Sequence, residues 1–176
     1  MTALNRNPSN TSYLQPSKYQ MLFPRISTVT YFCQKVNLPT ISTTAPYQPT
    51  PFANIPRPGD KLVFGQFEMT FIVDEEMWNW QLIYDWMRGM TFPCSFDEYK
   101  NLYRESVYTL HSQQPQYSEG YLAILSGINV PKLKINFESM FPVALSDIWM
   151  DTTMGADDVV LATATFKYHI YNVERL

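Results

Sequence analysis

A chain of 176 residues with 45% hydrophobic and only 16% charged side chains has room for one domain with a real core, but its surface is poorer in charge than the roughly 25% of an average soluble protein implies. A formal net charge of -3 offers no polybasic footprint for phosphate, which excludes tight nucleic-acid binding as the primary function. No apolar run approaches the roughly 18 residues of a membrane helix, and residues 1–16 lack the basic start and apolar middle of a secretory signal.

A surface short of charge is prone to associate, so copies of the chain or other partners are expected to cover much of it. Residues 1–17, with Asn5, Asn7, Pro8, Ser9, Asn10, Pro16 and Ser17, hold too few apolar positions to pack and read as an extended N-terminal arm. The remainder, 18–176, reads as a single β domain. Residues 28–38 are rich in β-branched and aromatic side chains and predict a strand, with Tyr31, Cys33 and Lys35 on one face and Phe32, Gln34 and Val36 on the other.

From Pro39 to Pro58 the chain carries six prolines and one charge, Arg57, which suits neither a helix nor a central strand and predicts a long extended loop. Its exposed Tyr47, Phe52 and Ile55, with Arg57, fit docking on a neighbouring subunit better than a solvated linker, with a self-packed loop as the alternative. Residues 62–73 alternate, with Phe67, Met69, Phe71 and Val73 on the apolar face and Gln66, Glu68 and Thr70 on the polar one.

A helix is expected over about 75–88: Asp74 as its cap, Glu75 and Glu76 in the first turn, Gly89 as its stop, and Trp78, Leu82 and Trp86 as the stripe facing a sheet. A shorter helix starts at Ser95, which with Glu98 has capping-box spacing ahead of Tyr99, Leu102 and Tyr103. Further strands are expected at 106–112, 120–129, 132–141 and 159–173. The last sets Ala162, Ala164, Phe166, Tyr168 and Ile170 against Thr163, Thr165, Lys167 and His169. Turns are expected at Asn129-Val130-Pro131 and over 154–158. The sum is a mainly β fold, a barrel or sandwich of two packed antiparallel sheets flanked by one helix.

Candidate sites for chemistry remain isolated. His111 and His169 have no nucleophile signature beside them. Asp74, Glu75 and Glu76 resemble a carboxylate cluster for Mg²⁺, but capping explains them. Asp157 and Asp158 are turn residues, and Asp147 with Asp151 lacks the spacing of a calcium loop. Cys33 and Cys94 form no metal or disulfide pattern and read as reduced, buried thiols. No glycine motif cradles phosphate. Trp78 and Trp86 read as core, leaving Trp80 as the better contact residue. Neither catalysis nor a cofactor nor a metal is expected.

Taken in order, several stretches carry a resemblance. They are Phe32-Cys33-Gln34-Lys35-Val36-Asn37-Leu38-Pro39, the run Phe67-Glu68-Met69-Thr70-Phe71-Ile72-Val73-Asp74-Glu75-Glu76 with Trp86 after it, Met140-Phe141-Pro142-Val143-Ala144-Leu145-Ser146-Asp147-Ile148 with its Phe-Pro turn, and the alternating end at 162–171. Together they resemble the tail tube proteins of contractile-tailed bacteriophages over most of the chain.

The resemblance implies a β-barrel or sandwich that forms hexameric rings, strands of all copies closing an inner barrel around a lumen, with rings stacked into the inner tail tube. Such a tube lies in a contractile sheath, houses the tape-measure protein, meets baseplate and neck proteins, and passes DNA transiently without sequence preference. It has no enzymatic step and no membrane-inserted chain. The expected location is the virion tail, assembled in the host cytoplasm. Contractile bacteriocins and type VI secretion systems use similar tubes. The N-terminal arm and the proline density depart from the pattern, which leaves a specialised baseplate or neck ring, a tube initiator or terminator, as the alternative to the tube itself. Gln66, Glu68 and Thr70 are the candidate lumen residues, with Lys132 and Lys134 a counterweight if they also face inward. The rival from another class is a monomeric lipocalin-like barrel lined by the aromatics; a third is an enzyme with a site assembled from scattered residues.

Overall fold

The structure, a computed structural model, describes residues 12–105, 116–153, 155 and 158–176, without the side chains of 103–105. Strand β1 (Tyr19–Leu22) leads through a 3-10 turn (Pro24–Ile26) and helix α1 (Ser27–Tyr31) to β2 (Cys33–Val36). Four short strands follow, β3 (Ile41–Thr43), β4 (Tyr47–Pro49), β5 (Asn54–Pro56) and β6 (Leu62–Phe64), then β7 (Phe67–Ile72). Helices α2 (Trp78–Thr91) and α3 (Phe96–Glu105) precede β8 (Ser118–Leu125), β9 (Pro131–Leu145), β10 (Leu161–Lys167) and β11 (Ile170–Arg175).

All pairings are antiparallel, and the main sheet runs β1-β8-β9-β10-β7-β2 with β11 added to β9. The 15-residue β9 belongs to both halves. Its first part pairs with β8 and β11, for instance Ile135 with Leu122 and Val173, and its last part pairs with β10, Ala144 opposite Thr165. Ser139, at a φ of 54°, takes a left-handed conformation that few side chains adopt, and there the strand bends from one half to the other. The halves pack face to face as a sandwich with open outer strands. Among the described residues no closed barrel forms, and the sandwich is the half of the expectation that holds.

The core is aromatic where the halves meet. Phe67 from β7 lies 5.0 Å from Phe137 of β9 and 6.2 Å from Phe166 of β10, and all three are fully buried. Period-two alternation puts Phe67, Met69 and Phe71 inside with Ala162, Ala164 and Phe166, as their sequence pattern predicts. Helix α2 closes one flank of the sandwich. The Trp86 ring sits 6.0 Å from Phe23, its Nε1 donates to the Gln116 carbonyl at 3.0 Å, and the Arg25 guanidinium lies 4.6 Å above it.

Several expectations need correction. Over 28–38 the first half is helix α1, because Ile26 and Val29, three apart, both reach the core from a helical turn; only Cys33–Val36 is strand. Among the described residues there are three α-helices instead of one flanking helix and a short second one. Helix α2 spans 78–91 and buries Asn79, Ile83, Trp86 and Gly89, while Trp78 is 56% exposed and Leu82 37%. Asp74 still serves that helix, since its Oδ1 accepts from the Asn79 backbone N–H at 3.2 Å, but Glu75 and Glu76 precede the first turn. Gly89 does not stop the helix. A Cβ there would stand 3.0 Å from the Leu102 side chain, so the glycine lets α3 approach, and Phe92 ends the helix at a φ of 36°.

Phe141-Pro142 is no turn, because β9 runs through it to Leu145. Residues 159–173 form two strands in different halves. After the break at Tyr168 and His169, it is Tyr171 and not Ile170 that stacks on Phe137, at 5.5 Å. Strand β1 lies outside every predicted element, and the strand expected at 106–112 lies outside the described residues.

Two outcomes test this core. Phe166→Ala is expected to cost about 3–5 kcal/mol in denaturant unfolding, the range for a buried phenyl ring deleted without collapse of its site. The Tyr168 hydroxyl is buried with no hydrogen-bond partner. Tyr168→Phe therefore removes a desolvated group, and is expected to raise the unfolding free energy by about 1 kcal/mol.

Candidate functional site

The stretch read as a proline-rich loop is a β ribbon that continues the β2–β7 hairpin outward. Ile41 pairs with Phe64 and Thr43 with Leu62, then Tyr47 with Pro56 and Pro49 with Asn54, and the tip turns over Thr50–Ala53. Prolines argue against central strands because they lack an N–H. Here the pattern resolves that objection. The Arg57 N–H donates to Pro46 at 2.8 Å and the Thr50 N–H to Ala53 at 3.0 Å, which makes Tyr47–Pro56 and Pro49–Asn54 the pairs whose own N–H groups point away from the partner strand. Pro49 and Pro56 thus occupy outward positions where no ladder bond is lost. They also delete one donor from each open edge of the ribbon, a guard against strand addition.

The root of the ribbon is fixed. At the break between β2 and the arm, the Asn37 side chain adds to its own backbone bond to the Glu68 carbonyl: Oδ1 accepts from the Glu68 N–H at 2.8 Å and Nδ2 donates to the Gln66 carbonyl at 3.1 Å. Phe64 plants one ring between Tyr168 and Tyr171, at 6.0 and 5.5 Å. Farther out, Gly59 passes so close to Thr44 that a Cβ would collide with its carbonyl oxygen. These anchors were invisible as sequence motifs, although Gly59 and Gly65 between two short apolar runs carry the signal of closely paired strands.

Of the four residues assigned to this segment, Phe52 stands at the tip and is 100% exposed. Ile55 and Arg57 share one face with Gln48, whose Oε1 accepts both Arg57 Nε, at 2.9 Å, and Nη2, at 2.6 Å. Tyr47 lies on the other face, opposite Pro56. Among the lumen candidates, Glu68 and Thr70 point away from the core on β7, with Thr165 and Thr163 opposite them on β10 and the two threonine hydroxyls 3.1 Å apart. Gln66 precedes β7 at the arm's root. Lys134 belongs to the other half, where its Nζ lies 4.4 Å from the Tyr121 ring beside Glu119, Glu138 and Glu174. Lys134 and Glu68 therefore stand on different outward faces.

A cleft separates the outermost strands, β1 and β2. It measures about 640 Å³ and is lined by Tyr19, Met21, Leu22, Thr30, Tyr31 and Cys33 among others. Both Tyr19 and Cys33 line it; the Cys33 thiol donates to the Lys35 carbonyl at 3.9 Å, and burial, with Cys33 as a neighbour, pushes Tyr19 up to about 12. Burial likewise raises the Cys33 thiol, which stays protonated at neutral pH. Cys33 is half-buried and Cys94 exposed, so the expectation of two buried thiols fails for Cys94.

The residues weighed for chemistry are placed apart. Asp74 is engaged with Asn79, and Glu76 accepts the Trp78 indole N–H at 2.5 Å. Asp151 accepts from Thr153, and Asp158 from the Gly155 N–H. His169 is exposed, and His111 and Asp157 lie outside the described residues. Trp80 stacks on Tyr84 at 5.4 Å with its Nε1 buried and unpartnered. Among the described residues no three His, Cys, Asp or Glu side chains are grouped to hold a metal, and no helix is long and apolar enough to cross a membrane.

What the geometry offers is a rigid projecting ribbon, open sheet edges and uncharged apolar surface, the equipment of a subunit that builds an assembly. The chain belongs to the phage tail tube protein family, whose model matches residues 8–174. It is 28% identical over 119 residues to the tail tube terminator protein of Enterobacteria phage T4, covering 68% of this chain and 61% of that relative's length. Its fold is that of the tube-terminating cap of the anti-feeding prophage, at a TM-score of 0.62, 9% identity and full coverage of both chains. It is also similar to a chain from the sheath–tube complex of an extracellular contractile injection system, at a TM-score of 0.58, 9% identity and 94% coverage of each. A chain of that system's sheath/tube terminator structure gives 0.57 at 11% identity, covering 94% of this chain and 99% of its own.

The Gly59 contact makes the arm separately breakable. In Gly59→Ala, the amides of Thr50 and Arg57 are expected to lose hydrogen-exchange protection while those of Met69 and Ala164 keep theirs. Uniform loss across all four would mean that the ribbon and the sandwich unfold as one.

Proposed function

We propose that this chain is a non-catalytic ring subunit at the end of a contractile tail's tube, a terminator whose hexameric ring closes the stack of tube rings and meets the sheath and neck. The similarity to a tail tube terminator over 68% of the chain carries the choice of the tube's end over its shaft. The structure supports ring building on its own terms. β1, β2 and β11 each have one strand neighbour among the described residues, and edges of this kind are stable in a soluble particle when subunits pair them into a closed ring.

The outward face of β7 and β10 suits a lumen: Glu68 stands among Thr70, Thr163 and Thr165, with Lys167 exposed at the end of β10 and Lys35 of β2 opposite Thr70. It offers DNA no cluster of cations to hold phosphate, so a nucleic acid passes without being gripped, and a tape-measure protein can occupy the same channel. The arm residues Tyr47, Phe52, Ile55 and Arg57 contact a neighbouring subunit. On this reading the chain is part of the virion tail, assembled in the host cytoplasm, with no cofactor.

Copy number separates the end of the tube from its shaft. Quantitative mass spectrometry of purified tails is expected to give one ring of this chain per particle, far below the sheath protein. Stoichiometry equal to the sheath would make it the shaft subunit. Negative-stain microscopy of the purified chain is expected to show rings of uniform bore, and dispersed monomers at every concentration would overturn the assembly reading.

A further inference from the structure

The geometry points to the uncharged cleft between β1 and β2 as the seat for the arm tip of a second copy of this chain. The inference rests on the assembly reading above and names the surface that receives the arm. Residues 36–56, which run out along the ribbon and around its tip ahead of Arg57, Asp60 and Lys61 on the return side, contain no Asp, Glu, Lys or Arg, and the tip projects a phenyl ring at Phe52 that is 100% exposed. Such a ribbon needs a receptor that is also free of charge, because burying an unpaired charge beneath it would cost several kcal/mol.

The described clefts differ on this point. That beside β8, β9 and β11 contains Glu119, Lys134, Glu138 and Glu174, and that between α2 and α3 contains Asp85, Arg88 and Glu98. None of the ten residues lining the β1–β2 cleft is charged. Its rim offers apolar surface that its own chain leaves uncovered, with Tyr31 84% and Leu22 52% exposed.

The mode of contact follows from the prolines. Pro49 and Pro56 remove donors from the ribbon's edges, so the arm does not join β1 or β2 as an added strand along its length; the contact is made by side chains at the tip, Phe52 with its flanking prolines, against Tyr31, Leu22 and Met21. One copy gives its arm and the next gives its cleft. The contact is heterologous, and repeated around an axis it closes a ring or, displaced along the axis, links one ring to the next.

Cross-linking between distinguishable copies tests it. In a Cys94→Ser background, one population carries Ala53→Cys beside the intact Phe52 tip and another Gln20→Cys at the rim of the cleft. A third carries Trp149→Cys, exposed on the segment after β9. Mixed under assembly conditions and treated with a short bifunctional maleimide, tip and rim copies are expected to form a covalent dimer whose linked peptides join residue 53 to 20 or to native Cys33. Rings that assemble while residue 53 couples to 149 as readily as to 20 would overturn the inference and leave the proposed function standing. A chain monomeric at all concentrations would overturn both. Phe52→Asp and Tyr31→Asp are each expected to raise the concentration needed for assembly by about tenfold or more, the scale of one lost aromatic anchor, with unfolding temperatures unchanged. Unchanged assembly in both variants would likewise count against the cleft.

Discussion

Everything in this fold hangs on one strand serving two halves. β9 has β8 and β11 on its two edges over its first part and β10 on one edge over its last. Because Ser139 bends it between these regions, the two halves cannot lie in one plane, and each turns its apolar face toward the other. Phe137, just before the bend, meets Phe67 across the gap, and Phe67 in turn meets Phe166. The sheet does not close on itself: β1 and β2 are the ends of the path, with a cleft between them.

Open ends of a sheet are a liability in a monomer and a resource in an assembly. This chain shows both responses. Its outermost strands are four residues each, too short to template a long foreign strand, and the ribbon's free edges are blunted by Pro49 and Pro56. Yet the ribbon is not left loose, since Asn37 and Phe64 fix its root before any partner arrives. A preorganised arm loses little conformational entropy on docking, so the apolar contact it makes is spent on affinity and not on ordering.

Where local chemistry and tertiary demand agreed, the sequence was easy to read. Phe67, Met69 and Phe71 alternate because β7 is buried on one face, and nothing else competes there. Reading failed where one residue type has two uses. Trp78 looked like core because tryptophan is large and apolar, but its indole N–H is held by Glu76 at the surface, and the volume beside the sheets goes to Ile83 and Trp86. The β-branched run Thr28-Val29-Thr30 looked like strand, but a helical turn is what brings both Ile26 and Val29 inside. Prolines looked like breakers because period and propensity do not reveal which N–H groups a ribbon leaves unused. The charge-free span around the arm was legible from composition; the cleft was not, since its lining over 17–34 takes shape only when β1 pairs with β8 and β2 with β7, partners distant in sequence.

The distribution of charge gives the subunit a direction. Ion pairs Arg88–Glu98 and Lys100–Asp97 stand on α2 and α3, and the outward face of β8, β9 and β11 mixes Glu119, Lys134, Glu138 and Glu174, so these surfaces are comfortable in water or against a polar partner. The ribbon's span over 36–56 and the β1–β2 cleft carry none of this and gain by being covered. A subunit with one apolar projection and one apolar receptor stacks in a single sense, and any finite stack ends with one of the two unfilled. The chain that ends a tube must therefore resolve that mismatch, by closing its arms within its own ring or by offering the free surface to a different protein. On the proposed reading the proline-blunted ribbon binds by its tip without inviting the next strand, which suits either outcome and allows growth to stop.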